Sequence, residues 1–314
     1  MIEVLDSDAA VEALRPEWDA LWVRTPTATT FQSPRWLLPW WRQFGTSMPR
    51  VAIERRDGRL VGVLPLYVLP DERKALPIGA GTTDYLDALG DPAALLPAAL
   101  ARLRDDPVDV CDLIEVPPGS ALLGAGTCGW RAEWSEGSPC PVLTLPEIPS
   151  GIRRKLRMNR HRADRVGGWT VETAAADMLP LMLDALVRLH QGRWTAQGEP
   201  GVLASQPVLG FWRDAAPLLL EAGLLRLTLL HIGSDVAAAI MALLAPGRLF
   251  FYLSGFDENH AFVSPGTLLL GAMLEQAIEE GRTEAHFLRG RERYKYAWGG
   301  VDRLNASCRL VKVD

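Results

Sequence analysis

The sequence predicts a mixed α+β protein built from two structurally similar domains. Strand patterns are joined by short turns, as antiparallel strands are, and helical patterns stand between them without a regular βαβ succession. The order hairpin, loop, helix, strand also occurs twice in the 314 residues, which indicates an internal structural repeat. The predicted boundary lies where four prolines occur between residues 139 and 149. It gives domains 1–148 and 149–314, each with a mostly antiparallel central sheet flanked by helices.

The first half supports the predicted fold class, because it contains apolar residues at helical spacing, a helix N-cap and a tight turn between two strand patterns. Asp57-Gly58 is a strong hairpin signal, because both residues tolerate the positive φ of a tight turn. The predicted elements are, in order, a helix carrying Leu14, Trp18, Leu21 and Trp22, a helix from Pro34 capped by Ser33, strands 50–55 and 60–68, a helix over 93–103 and a strand over 110–116.

The second half repeats the pattern after a basic segment. Gly233-Ser234 and Pro246-Gly247 separate three apolar runs, as expected for a meander of strands. The predicted elements are helices 178–197 and 209–221, strands 225–232, 236–244 and 249–254, a helix over 265–280 and a strand over 285–288.

Composition excludes several classes of protein. The net charge of −5 argues against a surface built as a whole to hold nucleic acid. The four cysteines lie far apart and the five histidines lack metal-ligand spacing, so no metal site and no disulfide scaffold are predicted. The N-terminus lacks the pattern of a signal peptide, and no apolar run approaches the roughly 20 residues of a membrane span. A cytoplasmic protein is therefore expected.

A basic segment, 151–166, is predicted to be a helix that bridges the two domains. Between Arg153 and Arg165 it holds seven Lys or Arg residues and a single Asp. Such a run is either a solvated helix face or a surface that binds the phosphates of a donor or an acceptor. The sequence leaves both readings open.

The loop and helix start at 254–268 form the first candidate site. Ser264 is a good N-cap, Pro265 suits the first helical position, and Gly266 leaves the backbone accessible. Such an end offers free N–H groups to a pyrophosphate, although Ser-Pro-Gly also starts helices that bind nothing. Asp257, just past a strand end, is a candidate for acid–base chemistry, with a turn or cap role as its alternative.

The segment 286–300 is the second candidate, because charged and aromatic residues follow a buried strand there. Glu292 could accept a proton from an amine, and Tyr294 could donate one to a leaving thiolate. Arg289 and Lys295 could hold phosphate or carboxylate. The competing interpretation is an internal Arg–Glu network that ties the last strand to its neighbours.

Asp84 and Asp87 form a third candidate in the first half. They flank Tyr85 in a glycine-rich loop, where they could bind a cationic or polyhydroxyl acceptor. A loop held by Asx-turns is the alternative.

A set of short motifs resembles a known family. The matches run in order across about three quarters of the chain: Leu64-Pro65-Leu66-Tyr67, Thr83-Asp84-Tyr85-Leu86-Asp87, Leu189-His190-x-x-Arg193-Trp194, Ser254-Gly255-Phe256-Asp257, Ser264-Pro265-Gly266 and Phe287-Leu288-Arg289-Gly290-x-Glu292-x-Tyr294-Lys295-x-x-Trp298-Gly299. In these motifs the chain resembles the GNAT-superfamily acyltransferases associated with cellulose and exopolysaccharide biosynthesis, which are in turn similar to the Fem-type aminoacyl transferases with two GNAT domains.

The resemblance implies a fold and a mechanism. Two tandem GNAT-like domains are expected, with the acyl donor lying where strands 249–254 and 285–288 splay apart. It implies that acetyl-CoA or another acyl-CoA is a co-substrate rather than a resident cofactor. The donor would contact Leu253, Ser254 and the helix start Ser264-Pro265-Gly266-Thr267, and Trp194 would join Asp84, Asp87, Arg289 and Lys295 around the acceptor. The usual GNAT phosphate loop is absent, and His286 stands where the family has an acidic residue.

The predicted function is therefore an acyl-CoA-dependent N- or O-acyltransferase. Its acceptor would be a polar metabolite such as an amino sugar, an amino acid or a polysaccharide precursor, and a homodimer is possible. The alternatives are Fem-like transfer of an amino acid from aminoacyl-tRNA, which is the reading that would involve nucleic acid, and a non-catalytic binding module.

Overall fold

The computed structural model describes residues 1–45, 47–196 and 198–313, and the chain divides into two compact units. Unit 1 consists of Met1–Pro139 and Arg303–Asp314, and unit 2 of Cys140–Asp302. The predicted domains 1–148 and 149–314 differ from these units in two ways. Unit 1 ends its first segment at Pro139 rather than at residue 148, and the last segment of the chain, from Arg303, belongs to unit 1. Their assignment as two GNAT-like domains stays a prediction.

Unit 1 is a mostly antiparallel sheet with helices packed on it. Its strands run in the order β1-β2-β3-β4-β5-β12, and the pair β4–β5 is parallel while the other pairs are antiparallel. The elements are β1 (Ile2–Leu5), α1 (Asp8–Ala13), α2 (Arg15–Val23), α3 (Pro34–Phe44), β2 (Met48–Arg56), β3 (Arg59–Leu69), β4 (Lys74–Pro77), α4 (Pro92–Leu103), β5 (Val110–Val116), most of β12 (Val301–Val311) and the start of β6 (Arg131–Thr144).

Local sequence explains several of these elements. Ser33 caps α3 by accepting a hydrogen bond from the backbone N–H of Arg35, as predicted. Asp57 and Gly58 have φ angles of 51° and 75°, so the predicted hairpin forms through a turn that needs positive φ at both positions. Helix α4 buries an apolar stripe, including Leu100 and Leu103, in a hydrophobic core cluster of unit 1. Burial of this stripe supplies most of the stability of such a helix.

Unit 2 has the same arrangement of strands. The order is β7-β8-β9-β10-β11-β6, with β10–β11 as the parallel pair. The elements are α5 (Ser150–Asp164), β7 (Trp169–Thr173), α6 (Leu179–Ala196), α7 (Gln206–Glu221), β8 (Leu225–Ile232), β9 (Asp235–Ala245), β10 (Arg248–Phe256), α8 (Pro265–Glu279), β11 (Glu284–His286) and α9 (Arg293–Ala297), with the end of β6 pairing with β11.

The predicted fold class is confirmed: the protein is mixed α/β, with mostly antiparallel strands flanked by helices. Most predicted elements of unit 2 lie within a few residues of their predicted bounds. The predicted end of the helix 178–197 lies outside the described residues. The predicted strand 285–288 is wrong at its end, because β11 stops at His286 and Leu288 adopts a φ of 58°, which a strand does not accommodate. Among the described residues, no helix has the length and apolar character needed to cross a membrane.

Candidate functional site

The parallel strands β10 and β11 separate after a short paired segment. Arg248–Phe250 pair with Glu284–His286, and β10 then continues to Phe256 with no further register to β11 in the described structure. A cavity of about 460 Å³ opens at this divergence, and all of its lining residues belong to unit 2. A gap at the end of two parallel strands is where ligands bind in many α/β proteins.

Beyond Phe250, strand β10 presents to this gap a polar edge that pairs with no other strand in the described structure. Its register against β9 shifts between Phe251 and Leu253, so Tyr252 forms a bulge, which bends the strand. The N–H of Asp257 donates to Ala237 of β9. Because alternate residues of a strand direct their polar groups to opposite edges, the backbone groups of Ser254 and Phe256 point away from β9, into the gap.

His190 on α6 binds this edge. Its Nδ1 lies 3.0 Å from the carbonyl oxygen of Ser254, and since a carbonyl only accepts, Nδ1 carries the proton. The other ring nitrogen, Nε2, is buried and has no hydrogen-bond partner among the described residues. Burial lowers the pKa of His190, Arg193 lowers it further, and the Ser254 bond opposes this. The imidazole is therefore neutral near pH 7 and orients Ser254 rather than carrying charge.

Aromatic residues form much of the cavity wall. The rings of Phe251 and Phe287 stack with centroids 5.7 Å apart, and Tyr294 meets Phe287 edge-on at 6.2 Å. Arg193 lies over the ring of Phe256 at 5.2 Å. The wall therefore suits a partly apolar ligand with an anionic or carbonyl group near Arg193. Arg193 and Phe256 line the cavity without having been predicted as site residues, although both lie in the short motifs quoted for the resemblance.

The six residues predicted to hold the donor, Leu253, Ser254, Ser264, Pro265, Gly266 and Thr267, all line the cavity. Their roles stay predictions. The local geometry of α8 differs from the expected cap: Ser264 adopts φ 52° and makes no side-chain cap hydrogen bond. The N–H groups of Thr267 and Leu268 both donate to the Ser264 carbonyl. Because Pro265 has no N–H, Gly266 offers the one N–H of the first turn that has no partner in the described structure.

Tyr294 is the one predicted acid–base residue that lines the cavity. Burial, with a smaller contribution from Glu292, raises its pKa to about 12. Its hydroxyl therefore stays protonated at neutral pH and can donate a hydrogen bond. Full proton transfer to a thiolate is unfavourable, because an ordinary thiol has a pKa near ~8.5.

Lys295 and Glu292 form an ion pair next to this wall. The Nζ of Lys295 lies 2.9 Å from a carboxylate oxygen of Glu292, whose side chain is 57% exposed. The ammonium also donates to the carbonyls of Leu288, Arg289 and Gly290, at 3.1, 2.6 and 3.4 Å. Lys295 is 2% exposed, and its donors are used within the loop, which favours the structural alternative considered for this segment.

The remaining predicted site residues lie off the cavity wall as described. Asp257 accepts from the N–H of Asn259 at 2.9 Å and caps a short 3-10 helix, so it takes the cap role. Trp194 packs against His190, with ring centroids 5.9 Å apart. Arg289 contributes its backbone carbonyl to Lys295.

Asp84 and Asp87 belong to unit 1. Asp87 accepts hydrogen bonds from the Ser120 hydroxyl at 2.6 Å and from the N–H of Ala88 at 2.8 Å. Burial raises its pKa to about 6, against the effect of these two hydrogen bonds. Asp84 is 7% exposed, and its backbone carbonyl accepts from Asn305. The part of the chain that the structure describes holds no cluster of His, Cys, Asp or Glu suited to a metal.

Comparison with known proteins identifies the kind of fold that surrounds the cavity. The family model described as Acetyltransferase (GNAT) domain matches residues 150–296. Unit 2 is similar to a GNAT acetyltransferase domain. No curated protein matches the sequence. The cellulose- and exopolysaccharide-associated family stays a prediction.

Solved structures extend the likeness to nearly the whole chain. FemX is 13% identical with a TM-score of 0.70, covering 95% of this chain and 96% of its own. L-PGS from Bacillus licheniformis is 12% identical with a TM-score of 0.62, covering 93% and 90%. A C-terminal domain assigned to a lysylphosphatidylglycerol synthetase of Agrobacterium fabrum is 13% identical with a TM-score of 0.63, covering 96% and 92%. At these identities the likeness shows a shared fold.

Proposed function

We propose that the protein is an acyl-CoA-dependent N- or O-acyltransferase whose acceptor is a polar metabolite, such as an amino sugar, an amino acid or a polysaccharide precursor. The observation that supports this proposal best is the cavity at the divergence of β10 and β11. It combines the edge of β10, which pairs with no strand beyond Phe250 in the described structure, with a wall rich in aromatic rings. An extended donor arm can pair with such an edge as an added strand does. A cytoplasmic location and a homodimer belong to the same proposal.

The reaction follows from the groups around the gap. The acceptor nitrogen or oxygen attacks the thioester carbonyl carbon, the carbon–sulfur bond breaks, and the sulfur leaves as a thiolate. An N–H of the open β10 edge, at Ser254 or Phe256, stabilises the oxyanion that forms. The Tyr294 hydroxyl, kept neutral by its raised pKa, donates a hydrogen bond to the leaving thiolate. The proton lost by the acceptor passes to water, with Glu292 next to the wall as the base that the water reaches, and then to sulfur.

Calorimetry and a thiol-release assay with acetyl-CoA test the proposal. Tyr294→Phe should lower kcat about tenfold or more, since one donor to developing charge is worth at least this much, and should leave acetyl-CoA affinity within about twofold. Glu292→Gln should also lower kcat without weakening acetyl-CoA binding. Tyr296→Phe is the matched control, because Tyr296 lies on the same helix and donates to Asp302.

Two results would count against this function. Absence of acetyl-CoA binding at millimolar concentration would remove the donor. Rates unchanged in both Tyr294→Phe and Glu292→Gln would remove these residues from the mechanism.

Fem-like transfer from an aminoacyl-tRNA is the second candidate. Two observations favour it. At the start of α8, Gly266 offers the one backbone N–H without a partner in the described structure, so a CoA pyrophosphate would find few donors there, and the fold is shared with FemX. In this reading the same cavity takes an aminoacyl ester. Retention of charged tRNA that falls steeply with salt, together with no thiol release from acetyl-CoA, would favour this candidate.

A further inference from the structure

A second cavity of unit 2 lies along one side of helix α5. It has a volume of about 540 Å³ and is bounded by α5, by α8 and by the segment that precedes α5. Arg153, Arg157 and Arg160 line it, and their spacing of four and three residues places them on one face of the helix. Ile148 and Ile278 provide an apolar wall beside the guanidinium groups.

The charges of this groove are only partly compensated. Arg160 forms an ion pair with Glu275 and lies over the ring of Trp169. Arg153 donates to the carbonyl of Pro146 at 3.5 Å, a neutral acceptor that leaves its charge unbalanced. Arg157 is exposed and has no carboxylate partner among the residues that the structure describes. Glu275 also lines the groove, where it pairs with Arg160, so Arg153 and Arg157 face the same groove without an ion-pair partner in the described structure.

These cations do not stabilise the helix that carries them. Helix α5 has no acidic residue in its first turn and, in the described structure, no side-chain cap at its N-terminus. Arg153 lies near this end, where the helix dipole disfavours positive charge. Arg153 and Arg157 also form a like-charge pair at i, i+4, which destabilises a helix. Stabilisation of α5 therefore does not account for the presence of Arg153 and Arg157 in a chain of net charge −5.

We propose that the α5–α8 groove binds the phosphate group of a small phosphorylated molecule. Arg153 and Arg157 would hold the phosphate oxygens, because guanidinium groups match phosphate in charge and in geometry. Ile148 and Ile278 would contact an apolar part of the same molecule. The site is separate from the cavity at β10 and β11, and the proposal does not depend on the acyltransferase function.

Calorimetry on the full chain at low salt tests this site with two probes, inorganic phosphate and octyl phosphate. Arg157→Gln and Arg153→Gln should each weaken binding about tenfold, the usual value of one charge-assisted hydrogen bond. Lys155→Gln is the matched control, because it removes one exposed charge of the same helix that does not line the groove, and it should change the affinity less than about twofold. Thermal unfolding of each variant verifies that the fold is retained.

The two probes also distinguish the ligand source. If octyl phosphate binds at least tenfold more tightly than inorganic phosphate, the ligand of the groove is an amphiphilic phosphate. If the two probes bind with equal affinity, the ligand is free phosphate or a hydrophilic phosphoester. Failure of both probes to bind at millimolar concentration would overturn the proposal. Equal losses of phosphate affinity in Arg157→Gln and Lys155→Gln would also overturn it. The same holds if a single-stranded RNA binds and both variants lose affinity for it equally, because either result indicates a diffuse basic surface along the helix.

Discussion

At the scale of single residues, Lys295 shows how a charged residue of a candidate site can serve the fold. We expect Lys295→Met to lower the free energy of unfolding by about 3 kcal/mol, because three carbonyls of the loop 288–290 lose a charged donor. Urea unfolding measures this change. Arg291→Met is the control, since the Arg291 side chain is 69% exposed and a surface charge contributes less than about 1 kcal/mol.

The opposite pattern would restore the predicted substrate role of Lys295. In that case Lys295→Met would unfold at the same urea concentration as the wild type, while KM for the acceptor would rise. The sequence alone could not decide between the two roles, because a lysine in a site and a lysine that satisfies backbone carbonyls occur in the same local pattern.

The raised pKa of Asp87 leads us to expect that the stability of the protein depends on pH. Its pKa is raised to about 6 in the folded state, against about 3.9 when unfolded, so the folded state binds the proton more tightly. This contribution to stability is present below pH ~4 and is lost as pH rises to ~6, amounting to at most about 3 kcal/mol at ~1.4 kcal/mol per unit. Asp87→Asn should remove this decline and exceed the wild type in stability at pH 8.

Denaturant unfolding between pH 4 and pH 8 measures the Asp87 effect as the difference between variant and wild type. Asp71→Asn, at an exposed turn position, should follow the wild type over the whole range. A difference between Asp87→Asn and wild type that does not vary with pH would contradict the prediction, because it would show that the pKa of this carboxyl is the same in the folded and unfolded states.

At the scale of elements, two glycines on either side of the cavity test how tightly its walls are packed. A Cβ on Gly255 would lie 2.4 Å from the His190 nitrogen and 2.6 Å from the Leu189 carbonyl carbon. These are backbone atoms of α6, so Gly255→Ala should destabilise unit 2 by about 3 kcal/mol. A Cβ on Gly266 would lie 3.6 Å from the ring of Phe256, an ordinary contact. Gly266→Ala should therefore leave stability unchanged or slightly raised.

Thermal unfolding compares the two glycine variants directly. Equal stability of Gly255→Ala and Gly266→Ala would contradict the close packing of α6 on β10. The same two variants distinguish an effect on folding from an effect on binding. If Gly266→Ala is as stable as the wild type but binds acetyl-CoA more weakly, the loss of affinity comes from the methyl group at the cavity wall.

The elements that the sequence predicted are those specified by local signals. Asp57-Gly58 and Ser33-Pro34 define a turn and a helix start within a few residues. The open edge of β10 could not be predicted in the same way, because the bulge at Tyr252 and the bond from His190 to Ser254 depend on contacts between residues far apart in the chain. The left-handed conformation of Ser264 was missed for a related reason: the preceding 3-10 helix sets it, while the residue type favours an ordinary cap.

At the scale of the whole molecule, each unit is completed by a strand from the other half of the chain. Strand β6 follows β5 in sequence, yet its residues 142–144 pair with β11, and β12 pairs with β5. A division of the sequence at one point assigns residues 303–314 to the second domain, because the residue pattern of a strand does not indicate which strand it pairs with. The repeat was predictable from the order of elements, whereas this exchange was not.

Deletion of residues 303–314 tests this exchange. The segment places Cys308 and Leu310, both almost fully buried, in the core of unit 1, and it pairs with β5 from Val110 to Val116. Its loss should lower the unfolding free energy of unit 1 by more than about 5 kcal/mol, the upper value for one buried leucine. Limited proteolysis with mass spectrometry should then show first cleavages within 1–139, with 140–302 protected and acetyl-CoA affinity retained. Leu310→Ala in the full chain should produce a weaker form of the same pattern. First cleavages within 140–302 would instead support the linear division at residue 148, because the deleted strand would then stabilise the second half.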